Sequence, residues 1–217
     1  MKRRTKAAIG VAIVLVIALV AGGFALWQVL GGAAPPPVAL NSVSTSAGPT
    51  ASSSASGSLD GTWTIDGTSG SLAEGTSSFA GYRVKEELAG TGANTAVGRT
   101  QKVSGSMTID GTAITAMEVT VDMTTLQSDD SRRDERLRTD GLQTDEFPTA
   151  TFTLTQPIEV GSVPKERQTI QAVAVGDLTL HGVTRSVRVS IQAQRNGDEI
   201  EAIGSVDVAL TDYGIQA

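Results

Sequence analysis

From Leu59 onward apolar and polar residues alternate one by one, and this alternation constrains the 217-residue chain more than any other feature. In "MEVTVDM" Met117, Val119, Val121 and Met123 share one face, and Glu118, Thr120 and Asp122 the other. "VSGSMTI" sets Val103, Met107 and Ile109 on one side, and "TATFTLT" does the same with Ala150, Phe152 and Leu154. "SVRVSIQA" follows with Val187, Val189, Ile191 and Ala193, and "AIGSVDVAL" continues the pattern more weakly. Successive side chains of a strand point to opposite faces, so each segment has one face for a core and one for water. Asp110-Gly111 and Asn196-Gly197 separate such segments, and both dipeptides favour two-residue hairpin turns. The expectation is an all-β domain whose antiparallel sheet closes into a barrel or pairs as a sandwich.

One segment breaks the rhythm. "SDDSRRDERLRTDGL", Ser128 to Leu142, is charged and lacks a period-two stripe. Ser128 or Asp129 is placed to cap a short helix with an acidic first turn and basic later turns, the favourable sense for the helix dipole. Asp129 with Arg133, and Asp134 with Arg138, have the i,i+4 spacing of helical ion pairs. The simplest reading is a solvated helix over one end of the sheet. A sharper one makes Arg132, Arg133 and Arg136 a docking patch for an anionic head group. The Asp-x-Asp-x-Asp-Gly calcium-loop pattern is absent from the segment.

The N-terminal third has a different character. Lys2, Arg3, Arg4 and Lys6 form a basic stub over residues 1–6, followed by Ala7 to Trp27 without a charge. As a helix those 21 residues would be about 31 Å long, close to the roughly 30 Å thickness of bilayer hydrocarbon. A transmembrane helix is therefore expected over 7–30, single-pass, with the N-terminus cytoplasmic because basic flanks stay inside. The alternative is a signal peptide, cleaved so that the domain is secreted, although this apolar run exceeds the usual length. Residues 31–58, "GGAAPPPVALNSVSTSAGPTASSSASGS", carry no charge and no aromatic residue. Such a segment buries too little apolar surface to offset its ordering entropy and reads as a disordered tether of roughly 30 Å root-mean-square span. The β-domain then occupies 59–217, outside the cytoplasm in either case.

Composition excludes several functions. With no cysteine there is no disulfide, thiolate metal site, cysteine nucleophile or lipidated cysteine. Four of the 17 Lys and Arg precede Ala7, so the domain carries 13 against 23 Asp and Glu, a net of −10. That charge repels phosphate backbones and disfavours nucleic acid as a partner. The single histidine, His181, leaves no room for a His-based zinc site and would have to serve any catalytic triad alone. No Gly-x-Ser-x-Gly elbow is present. In "LTLHGVT" His181 stands at a strand end before Gly182 and reads first as a turn residue.

In order along the chain, "TWTID", "SSFAGYRV", "RRDERLRTDGLQTDEFPTATFTLT", "GDLTLHGVTRSVRVSI" and "DVALTDYGI" resemble elements of the YceI-like family of exported, lipocalin-like, isoprenoid-binding proteins. The resemblance covers about Gly61 to Ile215. It departs at Arg136 to Leu142, where many members carry an aromatic pair, and at the C-terminal end, where members run on through another strand or two. The last strands are thus expected to be missing from this chain.

What the resemblance implies is a barrel of about eight antiparallel strands, with a short helix over one end and an elongated apolar interior. No cofactor is implied, only a polyisoprenoid ligand such as an isoprenoid quinone or its precursor. It implies that Phe79, Tyr82 and Val84 of the second strand, and Leu137 and Leu142 of the helical segment, line the chain. Phe147, Phe152 and Leu154 join them from the Phe-Pro element, and Leu178, Leu180 and His181 from the hairpin. The expected role is a membrane-tethered lipid-binding protein, not an enzyme. The alternative is a membrane-anchored interaction module with a filled barrel and no small-molecule ligand.

Overall fold

Each alternating segment forms a strand of one curled sheet. The computed structural model describes residues 38, 40, 58–67, 70, 72, 77–84 and 95–215, and the backbone alone of 11–19, 85–88 and 92–94. The strands are β1 (Val11–Leu19), β2 (Gly61–Thr64), β3 (Ala80–Leu88), β4 (Gly92–Thr100), β5 (Val103–Asp110) and β6 (Ala113–Asp122), followed by β7 (Thr149–Leu154), β8 (Ile158–Glu159), β9 (Ile170–Leu180), β10 (Val183–Asn196) and β11 (Glu199–Val208). Their order is β2-β5-β6-β7-β9-β10-β11-β1-β3-β4, with β8 on β6. Every pair of neighbouring strands is antiparallel except the two made by β1. This is the expected all-β antiparallel architecture, but curled into a half-barrel of eleven strands instead of a closed ring of about eight. The end strands β2 and β4 do not pair with each other. Arg99 at the end of β4 and Gln127 after β6 exchange two backbone hydrogen bonds, of 2.8 and 3.0 Å, which draw the two sides together.

The inward rows are those the alternation names. Met117, Val119, Val121 and Met123 are buried, as are Val103, Met107, Ile109, Ala150 and Phe152. On β11 the row Ile200, Ala202, Val206 and Val208 is buried too. Burial of a valine, leucine or phenylalanine side chain contributes about 1.5–3 kcal/mol, and these rows supply the main stabilising term. Two strand glycines make room for aromatic rings. A Cβ on Gly98 would meet the Tyr82 ring at 2.3 Å, and one on Gly176 would meet the Phe152 ring at 2.5 Å.

The helix expected across residues 7–30 does not form over Val11–Leu19. These residues are strand β1, parallel to β11 on one side and to β3 on the other. Five of the nine are valine or isoleucine, residues suited to a pleated surface, and a strand apolar on both faces is typical of parallel pairing within a sheet. Among the described residues no helix is long and apolar enough to cross a membrane. The basic stub lies outside the described residues, as does the expected tether apart from Val38, Leu40 and Ser58; Leu40 is buried.

The hairpins sit one residue later than the dipeptides suggest. Asp110 and Asn196 are the last residues of β5 and β10, and the turns are Gly111-Thr112 and Gly197-Asp198. Gly111 and Gly197 take the positive φ, +60° and +64°. The helix is α1 (Ser131–Arg136), a single turn and a half that runs on through a wider turn to Gly141. Asp130, not Ser128 or Asp129, caps it, accepting the Arg132 N–H at 2.8 Å. Arg133 bonds Asp129 at 2.6 Å as its spacing suggests. Arg138, however, pairs with Glu135 at 2.6 Å, because the Asp134 carboxylate is taken by the Ser128 backbone N–H at 3.0 Å and its hydroxyl at 2.6 Å.

Candidate functional site

The curl of the sheet leaves an apolar lumen. Met107 and Ile109 of β5, Met117 and Val119 of β6 and Phe152 of β7 form one wall. Ile170 and Ala172 of β9, Val189, Ile191 and Ala193 of β10, and Ile200, Ala202 and Gly204 of β11 form the other. The lumen opens at the end that carries the β5–β6 and β10–β11 turns, beside the loop Ser162–Pro164. Val163, on that rim, is 42% exposed, one of two large hydrophobic residues so exposed among those described. Its free volume is about 80 Å³, short of the roughly 300–1,000 Å³ of ligand pockets, so a long chain enters only as the walls move apart. The walls hold no titratable group; Arg195 stands at the rim.

The other end is closed by packing. Tyr213 and Ile215, from the turn after β11, are buried against a core that includes Leu142, Leu178 and Leu180. Burial raises the Tyr213 phenol above its ordinary value, with Asp212 acting in the same sense and Arg185 opposing both. His181 and Gly182 are the two residues between β9 and β10, with φ of +50° and +71°. Positive φ at both positions is the two-residue hairpin conformation with the twist of the flanking strands. The His181 ring is clamped between Tyr213 O, 3.0 Å from Nδ1, and Gln143 Oε1, 2.9 Å from Nε2, with Phe147 at a centroid distance of 4.3 Å. A carbonyl oxygen only accepts, so Nδ1 carries a proton that it donates to Tyr213 O, and a neutral ring then accepts at Nε2 from the Gln143 amide, whose oxygen and nitrogen exchange places on rotation. His181 therefore ties the post-helix loop and the C-terminal turn to the β9–β10 hairpin.

Of the eleven residues named from the resemblance, Phe152 alone lines the lumen. Phe79 is buried beneath the Arg99 guanidinium, 4.8 Å from its ring centroid. Burial lowers the Arg99 pKa from its ordinary value, and the Arg83 charge adds to this. Tyr82 packs over Gly98, and Phe147 lies over Gly182 and beside His181. Leu142, Leu178 and Leu180 are buried at the closed end, while Val84, Leu137 and Leu154 pack half-buried against the core. The sequence signal for the real lumen walls was the alternation itself: Met107, Met117, Ile191 and Ala193 all stand on inward rows. Among the described residues no cluster of His, Asp and Glu could hold a metal ion.

Comparison with known families settles the kinship. The sequence model of the YceI-like domain matches residues 63–217. The chain belongs to the YceI-like family. Curated relatives include UPF0312 protein VVA0736 of Vibrio vulnificus, 32% identical over 127 residues, covering 54% of this chain and 64% of the relative. A UPF0312 protein of Shewanella baltica is 32% identical over 129 residues, with 55% and 64% covered. The match thus spans somewhat less than two thirds of the relatives' length. Among solved structures, BcnA of Burkholderia cenocepacia shares 18% identity at a TM-score of 0.47, over 56% of this chain and 74% of that one. A polyisoprenoid binding domain from Saccharophagus degradans shares 18% at 0.38, over 48% and 57%. The lumen, apart from Leu59 in its lining, and the His181 clamp lie within the matched YceI-like region.

Proposed function

We propose that this YceI-like domain binds one long apolar chain, a polyisoprenoid, along its lumen, and acts as a carrier or store for it rather than as an enzyme. The observation that carries this reading is a lumen walled by methionine, isoleucine, valine, alanine and one phenylalanine and open at one end. Such binding needs area, not reactive groups. Each buried methylene contributes about 0.8 kcal/mol, so several isoprene units outweigh the cost of association. The small residues Ala172, Ala193, Ala202 and Gly204 line one wall, and the pliable Met107 and Met117 face them, so the lumen can widen by rotamer change. The family resemblance points to the same ligand class.

We further propose that the domain is held outside the cytoplasmic membrane by residues 7–30. The basic stub and the 21 uncharged residues after it support this. Strand β1 and a membrane helix are exclusive uses of one segment, so tethering requires Val11–Leu19 to leave the sheet. Protease added to intact spheroplasts should cut within 31–58 and release the domain; full protection would refute the topology.

The ligand is tested by native mass spectrometry of protein extracted from membranes. A bound mass of several isoprene units is the expected result. The tight packing of the closed end, where Leu178 is 1% exposed, favours the second reading, an interaction module with a filled interior. Clean apoprotein whose melting is unmoved by added isoprenoid quinone would select it.

A further inference from the structure

Strands β10 and β11 do not pair along their whole length. From the turn they run together as far as Ser190 opposite Ser205, and there the ladder ends. Beyond it β10 stays with β9, while β11 continues to Val208 alongside β1. Between the parted strands lies a cleft of about 610 Å³, lined by Arg185, Arg188, Asp207, Asp212 and Tyr213, together with Val187, Val206 and Val208. The valines continue the inward rows that form the lumen wall at Val189 and Gly204.

The inward row of β10 reads Arg185, Val187, Val189, Ile191, Ala193, Arg195: apolar, with an arginine at each end. Over that row a strand rises roughly 33 Å. At the Arg195 end the lumen mouth is rimmed by Val163 and Pro164; toward the Arg185 end the lumen lining stops at Val189, and Val187 and Arg185, next on the same row, line the polar cleft. Arg185 donates from Nε to Asp212 O at 3.1 Å, which leaves its terminal amino groups for another acceptor. Tyr213 is 2% exposed, and among the described residues its hydroxyl has no hydrogen-bond partner. A buried hydroxyl left unpaired is costly, so a ligand oxygen that pairs with it gains more than one bound at the surface. The Arg185 charge acts on that phenol, which brings the two groups into one neighbourhood.

We propose that this cleft between β10 and β11 is the subsite for the polar end of the lipid whose chain fills the lumen, and that it selects an uncharged oxygen head, a carbonyl or hydroxyl, over a phosphate. This rests on the carrier reading above and adds to it the head-group site and its chemistry. Arg185 and Tyr213 are the donors. Asp207 and Asp212 balance Arg185 and Arg188, so the cleft has no net charge with which to hold a phosphate. The domain around it carries a net of −10, which opposes an anion further.

The test titrates the full chain in detergent micelles with four probes: a long isoprenoid quinone, a polyprenyl alcohol, the phosphate of that alcohol, and squalene, which has a chain and no head. The quinone and the alcohol should bind about tenfold more tightly than squalene, the worth of one charge-assisted hydrogen bond, and the phosphate no better than the alcohol. In Arg185→Gln, and independently in Tyr213→Phe, which keeps the buried ring, the quinone and the alcohol should fall to the level of squalene while squalene is unchanged. Equal binding of all probes by the unaltered chain, a preference for the phosphate, or a head preference that survives both substitutions would overturn the inference and leave the carrier reading standing. Failure of every probe to bind would overturn both.

Discussion

Nδ1 of His181 lies 3.0 Å from the backbone oxygen of Tyr213, and this contact joins two turns 32 residues apart at the closed end of the half-barrel. The only histidine of the chain thus holds its fold together across the β9–β10 hairpin. Its φ of +50° lies in a region that asparagine adopts readily and β-branched residues do not.

His181→Asn should accordingly keep the turn and lose the clamp, at about 1 kcal/mol of stability for each hydrogen bond not replaced. His181→Val should cost more, since it adds backbone strain to the same loss. Urea unfolding of the two variants checks the order. Isoprenoid binding by the folded Asn variant should be nearly unchanged, because His181 does not line the lumen or the β10–β11 cleft.

The rings laid over glycines give a second expectation. A Cβ at Gly98 meets the Tyr82 ring alone among its nearest neighbours, at 2.3, 2.6 and 2.8 Å. Gly98→Ala should therefore destabilise the protein while Tyr82 is present and be nearly harmless beside Tyr82→Ala. A double-mutant cycle by thermal melting should show coupling of about 0.5–3 kcal/mol. At Gly176 the nearest atom to such a Cβ is the backbone oxygen of Thr153, at 2.4 Å, so Phe152→Ala should rescue Gly176→Ala only in part.

Much of this architecture is legible in the sequence because strand periodicity is local. Each inward row on β5, β6, β7, β10 and β11 follows from counting by two. What is not legible depends on partners distant in sequence. The hairpin positions slip by one because Asn196 pairs with Glu199, leaving Gly197 to take the positive φ. The helix cap falls to Asp130 because Asp134 is engaged by Ser128. "VAIVLVIAL" fits a bilayer helix and a buried strand equally well by composition, and only the free edges of β3 and β11 give the strand its place. The lumen residues of β5, β6, β7, β10 and β11 stand on inward rows, whereas Ile170 and Ala172 of β9 lie on a strand with no alternation singled out. Which end of those rows is packed and which is open depends on Tyr213 and Ile215 folding back over one end, and no local pattern records that.

Asp130 makes the helix cap sensitive to acid. Its carboxyl lies below the ordinary aspartate value, chiefly through the Arg132 N–H, with the Arg133 N–H and the two arginine charges adding and burial opposing. A carboxylate whose folded pKa is depressed stabilises the folded state above its unfolded value, and that contribution disappears as pH falls through the folded one. Asp130→Ala should cost about 1 kcal/mol near neutral pH, as other cap deletions do. The gap between variant and parent should close on acidification below the normal aspartate range, which paired melting curves across that range would reveal.

The lumen itself supplies the most discriminating pair of substitutions. Ala202 and Ala174 both lie in strands of the sheet and both are buried, 9% and 0% exposed. Ala202 lines the lumen, whereas Ala174 does not. Leucine at position 174 has nowhere to go and should overpack the core, costing about 1–3 kcal/mol with or without lipid. Leucine at position 202 extends into open space, so the lipid-free protein should melt near the temperature of the parent. Its three extra carbons then occupy the volume an isoprenoid chain would use, and the upward shift in melting temperature on adding isoprenoid quinone should shrink or vanish. Differential scanning calorimetry of both variants with and without the quinone separates the cases. If Ala202→Leu destabilised the lipid-free protein as much as Ala174→Leu, the interior would be a filled core and the carrier reading would fall.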